Sequence, residues 1–324
     1  MTVRAVVCPE YGTPDVLRLE QRPAPVPSTG QVRVRVHAAA VNFPDVLLIG
    51  GKYQITVPPP FVPGSEFAGE VVESGLDCAG FAAGDRVTGT GLYGAFADQV
   101  LCPAANLTRI PDGVDYHTAA AFGVAYRTAY HSLRSVARIR PGDTVIVLGA
   151  GGGVGLAAVQ LAVTLGAEVV AVASSAAKLA TAHSYGATHL IDHRNGDLRE
   201  QLRTAVPDGA AAVLDPVGGD LSEPALRSLA RGGRFVTIGY AAGTVPRIPL
   251  NLVLVKGLHI LGFQFRDIPP EEFTRNEEEL TGLLSSGRVS PHIGAVFPLE
   301  QAAAALHEVA AGRAVGKILL DLDT

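Results

Sequence analysis

The sequence lacks any apolar run long enough to cross a bilayer, and its N-terminus, MTVRAVVCPEYGTPDVL, lacks the apolar core of a secretory signal. It has only three cysteines, Cys8, Cys78 and Cys102, far apart and with no C-x-x-C. That excludes a disulfide framework, suits a reducing compartment such as the cytoplasm, and leaves the thiols as small buried hydrophobes. Positive charge is not in excess: 26 Lys and Arg stand against 31 Asp and Glu, a net charge of −5. No electrostatic footprint for nucleic acid results. The nine histidines form no H-E-x-x-H or similar cluster. His183, His189 and His193 fall on a helix, a strand and a turn, so they read as solvated single residues. No internal repeat or low-complexity tract is present.

What is there is a globular composition, 48% hydrophobic and 18% charged, in 324 residues. That length is too great for one ordinary core and predicts two domains. Up to about residue 120 the chain carries short β-like runs between turn residues. QVRVRVHAAAV alternates, with Val32, Val34 and Val36 on one face, and EFAGEVVESG, GDRVTGT and AFADQVLC read as further strands. A small barrel-like β domain is expected. From Ala119 the texture changes. HTAAAFGVAYRTAYHSL reads as helix, and then apolar strands alternate with helices. TVIVLG precedes a helix over Gly153–Leu165, EVVAVA one over Ser175–Tyr185, THLIDH one over Asp197–Val206, and AAVLD one over Leu221–Ala230. RFVTIG and HILGFQF complete the series. Such continuous apolar strands predict a doubly wound parallel sheet covered on both faces. The final GKILLDL reads as a strand that rejoins the N-terminal domain.

At GAGGGVG, residues 149–155, five of seven residues are glycine, at the first strand-to-helix turn of the alternating series. The spacing is Ala150-x-Gly152-x-x-Gly155, with Ala at the first glycine position of G-x-G-x-x-G. Glycines permit a tight turn and close ligand approach, and a helix start favours an anion, so Gly152, Gly153, Val154 and Gly155 are candidate contacts for a dinucleotide pyrophosphate. A site for NAD ends its second strand in a carboxylate that binds the ribose 2′-OH. Here that position is Ala173, followed by Ser174, Ser175 and Lys178. Two hydroxyls and an ammonium suit a 2′-phosphate, which favours NADPH. The serines also suit capping of the next helix, and the two roles are compatible.

Six blocks in order, AAAVNFPDVLLIGGKY, FVPGSEFAGEVVESG, GDRV, AAAFGVAYRTAYHSL, GAGGGVGLAAVQLA and LDPVGG, with FPLEQAAAALHEVAAGRAVGKILL at the C-terminus, resemble the medium-chain dehydrogenase/reductase superfamily. The likeness is greatest to its zinc-free quinone oxidoreductase branch, which includes zeta-crystallin. The resemblance implies a discontinuous GroES-like catalytic domain, residues 1–123 and 266–324, and a Rossmann domain, residues 124–265, with NADP(H) lying across the cleft. It implies that His193 and Arg313 reach the 2′-phosphate, although His193 stands where many relatives carry Tyr. It implies that Asn42 and Thr128 border the nicotinamide ribose and ring, and that the backbone at Ile238, Gly239 and Phe263 holds the ribose and carboxamide. Zinc-dependent relatives place Cys and His where this chain has Asn42 and Ser65, and the four-cysteine lobe is absent, so no metal is expected. Without a Lewis acid, activated acceptors such as quinones and α,β-unsaturated carbonyls fit better than alcohols. Tyr53 matches a tyrosine that enoyl-thioester reductases are proposed to use as proton donor; as plain chemistry it is equally an aromatic wall for a flat substrate. An enoyl-thioester reductase remains open, with Arg247, Lys256 and Arg266 as a basic rim, and so does a non-catalytic NADPH-binding protein. The apolar edge-like strand LHILGFQF, and the resemblance, point to a homodimer.

Overall fold

The computed structural model describes residues 1–78 and 80–323. The chain divides into two compact units, one from Met1 to Val124 together with the segment from Pro291 onward, the other Ala125–Ser290. In the first unit β1 (Thr2–Val7) pairs antiparallel with β2 (Arg18–Pro23). There follow β3 (Gln31–Val41), α1 (Phe43–Ile49), β4 (Glu66–Ser74), β5 (Arg86–Thr90), β6 (Gln99–Pro103) and β7 (Leu107–Arg109). The alternation read in β3 has its physical counterpart: Val32, Val34 and Val36 enter the core, while Arg35 stays exposed. The strand β3 pairs antiparallel with both β4 and β6, which makes it the spine of this unit.

The division between the units falls within α2 (Tyr116–His131). Beyond it come β8 (Thr144–Leu148), α3 (Gly153–Thr164), β9 (Glu168–Ala173), α4 (Ala176–Ser184), β10 (His189–Asp192), α5 (Leu198–Ala205) and β11 (Ala210–Asp215). Next are α6 (Ser222–Arg227), β12 (Leu229–Thr237), α7 (Leu250–Lys256), β13 (His259–Gly262) and α8 (Pro270–Ser285). The six strands form one all-parallel sheet in the order β10-β9-β8-β11-β12-β13. That is the 3-2-1-4-5-6 winding of a Rossmann sheet, whose direction reverses between β8 and β11. Buried Ile146, Leu148, Val170, Val172, Val213 and Phe235 form its apolar core. The chain then returns to the first unit through β14 (Ile293–Pro298), α9 (Ala302–Ala310) and β15 (Lys317–Asp321). The last strand lies antiparallel to β3, Ile318 opposite Val41, so the C-terminal strand does rejoin the N-terminal sheet.

Two elements differ from the sequence reading. The helix expected over Leu221–Ala230 ends at Arg227, and β12 already begins at the wholly buried Leu229, opposite Ala210. A register shift between Ala210 and Ala212 sets residues 230–233 of the partner strand, including Gly232 and Gly233, against a single residue, an irregularity that periodicity does not reveal. The second unit also runs on to Ser290 and so includes α8, instead of ending near residue 265. The reason is a polar seam between α8 and α2. Glu277 binds Arg127 Nε at 2.8 Å and His131 Nε2 at 2.9 Å, Asn276 meets His131 Nδ1 at 3.2 Å, and Phe273 stacks on the His131 ring at 4.9 Å.

Candidate active site

The glycine turn sits at the point where the parallel sheet reverses its winding, the usual ligand position in this architecture. Gly152 is the residue before α3, and the N–H groups of that helix's first turn have no partner within the helix. A Cβ at Gly155 would lie 2.0 Å from the carbonyl oxygen of Gly149, so Gly155 is what lets α3 pack directly on the turn. At Gly152 a Cβ would meet nothing nearer than 3.5 Å, which leaves this part of the loop open to a ligand. At Gly151 a Cβ would strike the stem of Lys178 at 2.4 Å. The side chain of Lys178 therefore crosses the turn itself, and the two halves of the expected site meet there.

At the ends of β9 and β10 the structure gathers Ser174, Ser175, Lys178 and His193. Lys178 Nζ donates to Ser174 Oγ at 3.3 Å. Ser175 Oγ accepts from the Lys178 backbone N–H at 3.4 Å and begins α4, so it caps the helix as well. His193 is pinned by its N–H to the carbonyl of Ala173, the small residue that stands in for a carboxylate. A group the sequence reading missed is Arg194. Burial, and then Arg194, push the Lys178 ammonium below its ordinary pKa. The same two causes, in the same order, lower that of His193, against a smaller opposing pull from Asp192. The Asp192 carboxylate is itself engaged by the Arg194 N–H at 3.0 Å and the Asn195 amide at 2.9 Å. The result is a pair of cations, Lys178 and Arg194, with an imidazole that burial and Arg194 hold toward its neutral form, and Arg194 was visible in sequence only as the neighbour of His193.

Elsewhere in this unit, Ile238 and Gly239 both direct their N–H groups at the Asp215 carbonyl, at 2.8 and 3.3 Å, which leaves their own carbonyls as the groups they offer. Phe263 follows β13, bonds Thr237 O through its N–H at 3.2 Å and packs edge-on against Phe265 at 4.8 Å. Thr128 is buried on α2, one turn before His131.

In the first unit Asn42 precedes α1 and is buried. Its backbone N–H donates to Asp45 Oδ2 at 2.7 Å, which closes the first turn of the helix. Its side-chain amide donates to Glu66 Oε1 at 3.0 Å and Ser65 Oγ at 3.2 Å, and accepts from Lys317 Nζ at 2.6 Å. Glu66, Asp45 and Lys317 carry no weight in the sequence reading, because each reads there as a surface charge. All three are buried. Burial pushes the Asp45 carboxyl up to about 7, Glu66 adds to that, and the Asn42 N–H, Ser65 and Lys317 oppose it. Tyr53, four residues beyond α1, is half-buried with its ring against the first unit's core. Arg313 is also in this unit, forked onto Glu308 at 2.8 Å. Burial holds the Cys102 thiol up to about 12, and Cys8 and Cys78 are buried too, which makes all three inert packing groups.

A Rossmann sheet with a glycine turn at its switch point, in a chain whose two ends together build a separate antiparallel unit, defines an oxidoreductase of the medium-chain dehydrogenase/reductase class. Residues 28–112 match the family model for the alcohol dehydrogenase GroES-like domain, and residues 153–281 that for zinc-binding dehydrogenase. The chain is 38% identical to quinone oxidoreductase-like protein 2 of Bos taurus, over 98% of this chain and 92% of that one. It is 31% identical to human quinone oxidoreductase, over 98% and 97%. The crystal structure of Escherichia coli quinone oxidoreductase complexed with NADPH matches with a TM-score of 0.91 at 28% identity, over 98% of this chain and all of that one. The chain belongs to the quinone oxidoreductase branch of the superfamily.

The zinc in the second family model's description does not suit this donor set. Zinc prefers thiolate and imidazole, and the corresponding positions hold an amide and a hydroxyl with an ammonium among them. Among the described residues no group of three or more His, Cys, Asp or Glu side chains is arranged to hold a metal ion. Nor is any described helix long and apolar enough to cross a membrane.

Proposed function

We propose that the chain is a zinc-independent, NADPH-dependent reductase of quinones and other α,β-unsaturated carbonyls. The observation that carries the reading is the gathering of two cations, Lys178 and Arg194, with the His193 imidazole beside Ser174, and Ala173 where a carboxylate would select NADH. The glycine turn receives the pyrophosphate at the start of α3, and the cluster receives the 2′-phosphate. Thr128, with the backbone of Ile238, Gly239 and Phe263, orients the nicotinamide end. NADPH, when bound, supplies the hydride. In the first unit, Asn42 and Tyr53 are the candidates for contact with the ribose and with the acceptor. With an ammonium instead of a Lewis acid at Asn42, the substrates of choice are those that accept hydride without metal assistance.

The test is NADPH oxidation with a panel of quinones, enones and enoyl thioesters, on protein dialysed against a chelator. Quinones and enones are expected to turn over undiminished, with no stoichiometric zinc by elemental analysis. Zinc at one atom per chain, lost together with activity, would overturn the metal-free reading. Enoyl thioesters as the best acceptors would move the assignment to an enoyl reductase. The basic rim that reading needs is already reduced, because Lys256 directs its ammonium to the carbonyls of Arg227 and Leu229, at 2.7 and 2.8 Å.

The same reading includes a homodimer formed through β13. This strand is the outer edge of the parallel sheet, with Ile260 exposed, and the preceding α7 exposes Leu250, Leu254 and Val255. An apolar strand with unpaired backbone groups on one side is a template for its own copy across a two-fold axis. Light scattering is expected to give the dimer mass for the wild type and the monomer mass for Ile260→Glu. A wild-type monomer at micromolar concentration would count against it.

A further inference from the structure

Lys317 and Glu66 form an ion pair whose side chains are only 5% and 1% exposed. Taking two charges out of water costs about as much as their attraction returns, so such a pair is weak evidence of a gain in stability. Its geometry is more telling. Lys317, at the start of β15, donates at 2.6 Å both to Glu66 Oε1 and to Asn42 Oδ1. Glu66, at the start of β4, accepts the Asn42 amide on that same Oε1 at 3.0 Å and the Val124 N–H of α2 on Oε2 at 2.6 Å. An ammonium, a carboxylate and an amide thus form a closed triangle that joins β15, β4, α2 and the residue before α1.

Only one orientation of the Asn42 amide satisfies that triangle. Turned over, its NH2 would face the ammonium and its oxygen the carboxylate, two repulsive contacts in a buried place. The Asn42 amide also donates to Ser65 Oγ at 3.2 Å. Asn42 and Ser65 are the two positions at which the zinc-dependent relatives carry metal ligands. A cation does stand among them here, and it is a side chain. One ammonium serves two carboxyl groups: Lys317 draws the buried Asp45 toward ionisation while Glu66 opposes it.

We infer that Lys317 is a positioning residue whose ammonium, in place of a metal ion, organises Asn42, Ser65 and Glu66, and that it acts on the reaction through the orientation of Asn42. This inference rests on the metal-free reductase reading. It separates two roles that are otherwise confounded. If Lys317 only balances the charge of Glu66, removing both charges restores whatever removing one destroyed. If it orients Asn42, restoring the charge balance does not restore the orientation.

The experiment compares the wild type with Lys317→Met and with the double variant Lys317→Met, Glu66→Gln. Thermal midpoint, NADPH affinity by fluorescence titration, kcat with a quinone, and the side-chain amide signals of Asn42 by NMR are measured for each. The single variant strands a buried carboxylate and is expected to lose both midpoint and turnover. The double variant is expected to regain most of the midpoint and to bind NADPH within about threefold of the wild type. Its kcat is expected to stay down by roughly 10²-fold, the scale of a misplaced positioning group. The Asn42 amide signals are expected to be single and protected from exchange in the wild type, and doubled or exchanging in the double variant. That readout needs no turnover, so it tests the inference even if quinones prove not to be substrates and the functional reading fails. A double variant that regains turnover with its midpoint, fails to fold, or leaves the Asn42 signals unchanged makes Lys317 purely structural and overturns the inference.

Discussion

Tyr53→Phe is expected to lower turnover on enones and enoyl thioesters by roughly 10²–10⁴-fold, the range of general acid catalysis, and to affect quinones far less. Hydride addition to an enone leaves an enolate that must be protonated at carbon or stabilised at oxygen. A reduced quinone exchanges its protons with water, so the two substrate classes depend differently on a protein acid. Tyr53 brings a phenol O–H, and its ring is half-buried against the first unit's core. The run NFPDVLLIGGKY resembles the N-P-S-D-x-x-x-I-x-G-x-Y run of enoyl-thioester reductases, and its departure, Phe43-Pro44, falls at the first two positions of α1, where proline suits a helix start. It therefore leaves the helix intact. Steady-state kinetics on one enone and one quinone decide the matter. Equal, small losses on both would make Tyr53 a pocket wall and favour the plain quinone reductase reading.

The parallel strands were legible because both of their faces are covered, so each reads as an unbroken apolar run of the right length, as TVIVL and EVVAVA do. The glycine turn was legible because its string lies where a strand gives way to a helix. The affiliation of α8 was not, since it is decided by Glu277 and Asn276 meeting Arg127 and His131, pairs that no local pattern marks. The start of β12 was hidden by the irregularity that includes Gly232 and Gly233. The polar triangle was the least legible feature. Asn42, Glu66 and Lys317 belong to three different strands or their ends, and a lone Glu or Lys in a sequence is a surface residue until the fold brings an opposite charge to it. Its only local trace is the N-x-x-D spacing of Asn42 and Asp45, a signal of helix capping that says nothing of the lysine behind it.

Lys178→Ala is expected to raise the KM for NADPH by roughly tenfold to a hundredfold and to leave that for NADH almost unchanged. One charge-assisted contact to a phosphate is worth roughly 1.5–3 kcal/mol, and each 1.4 kcal/mol is about a factor of ten. The expected selectivity has a reason beyond the presence of one positive charge. Lys178 and His193 both lie close enough to Arg194 for its charge to lower their pKa values, on top of the effect of burial. The Lys178 and Arg194 charges at a half-buried strand end are mutually unfavourable until an anion joins them, and an anion also draws the His193 imidazole toward its protonated form. A 2′-phosphate relieves that repulsion, and a 2′-hydroxyl does not. The stem of Lys178 is held across Gly151 and its Nζ against Ser174, so its charge is presented beside the glycine turn. Losing it removes one cation of the proposed 2′-phosphate site without disturbing Gly155, whose close approach to Gly149 sets the turn. A wild type that prefers NADH, or a variant whose KM rises equally for both coenzymes, would sink the assignment of this cluster to the 2′-phosphate.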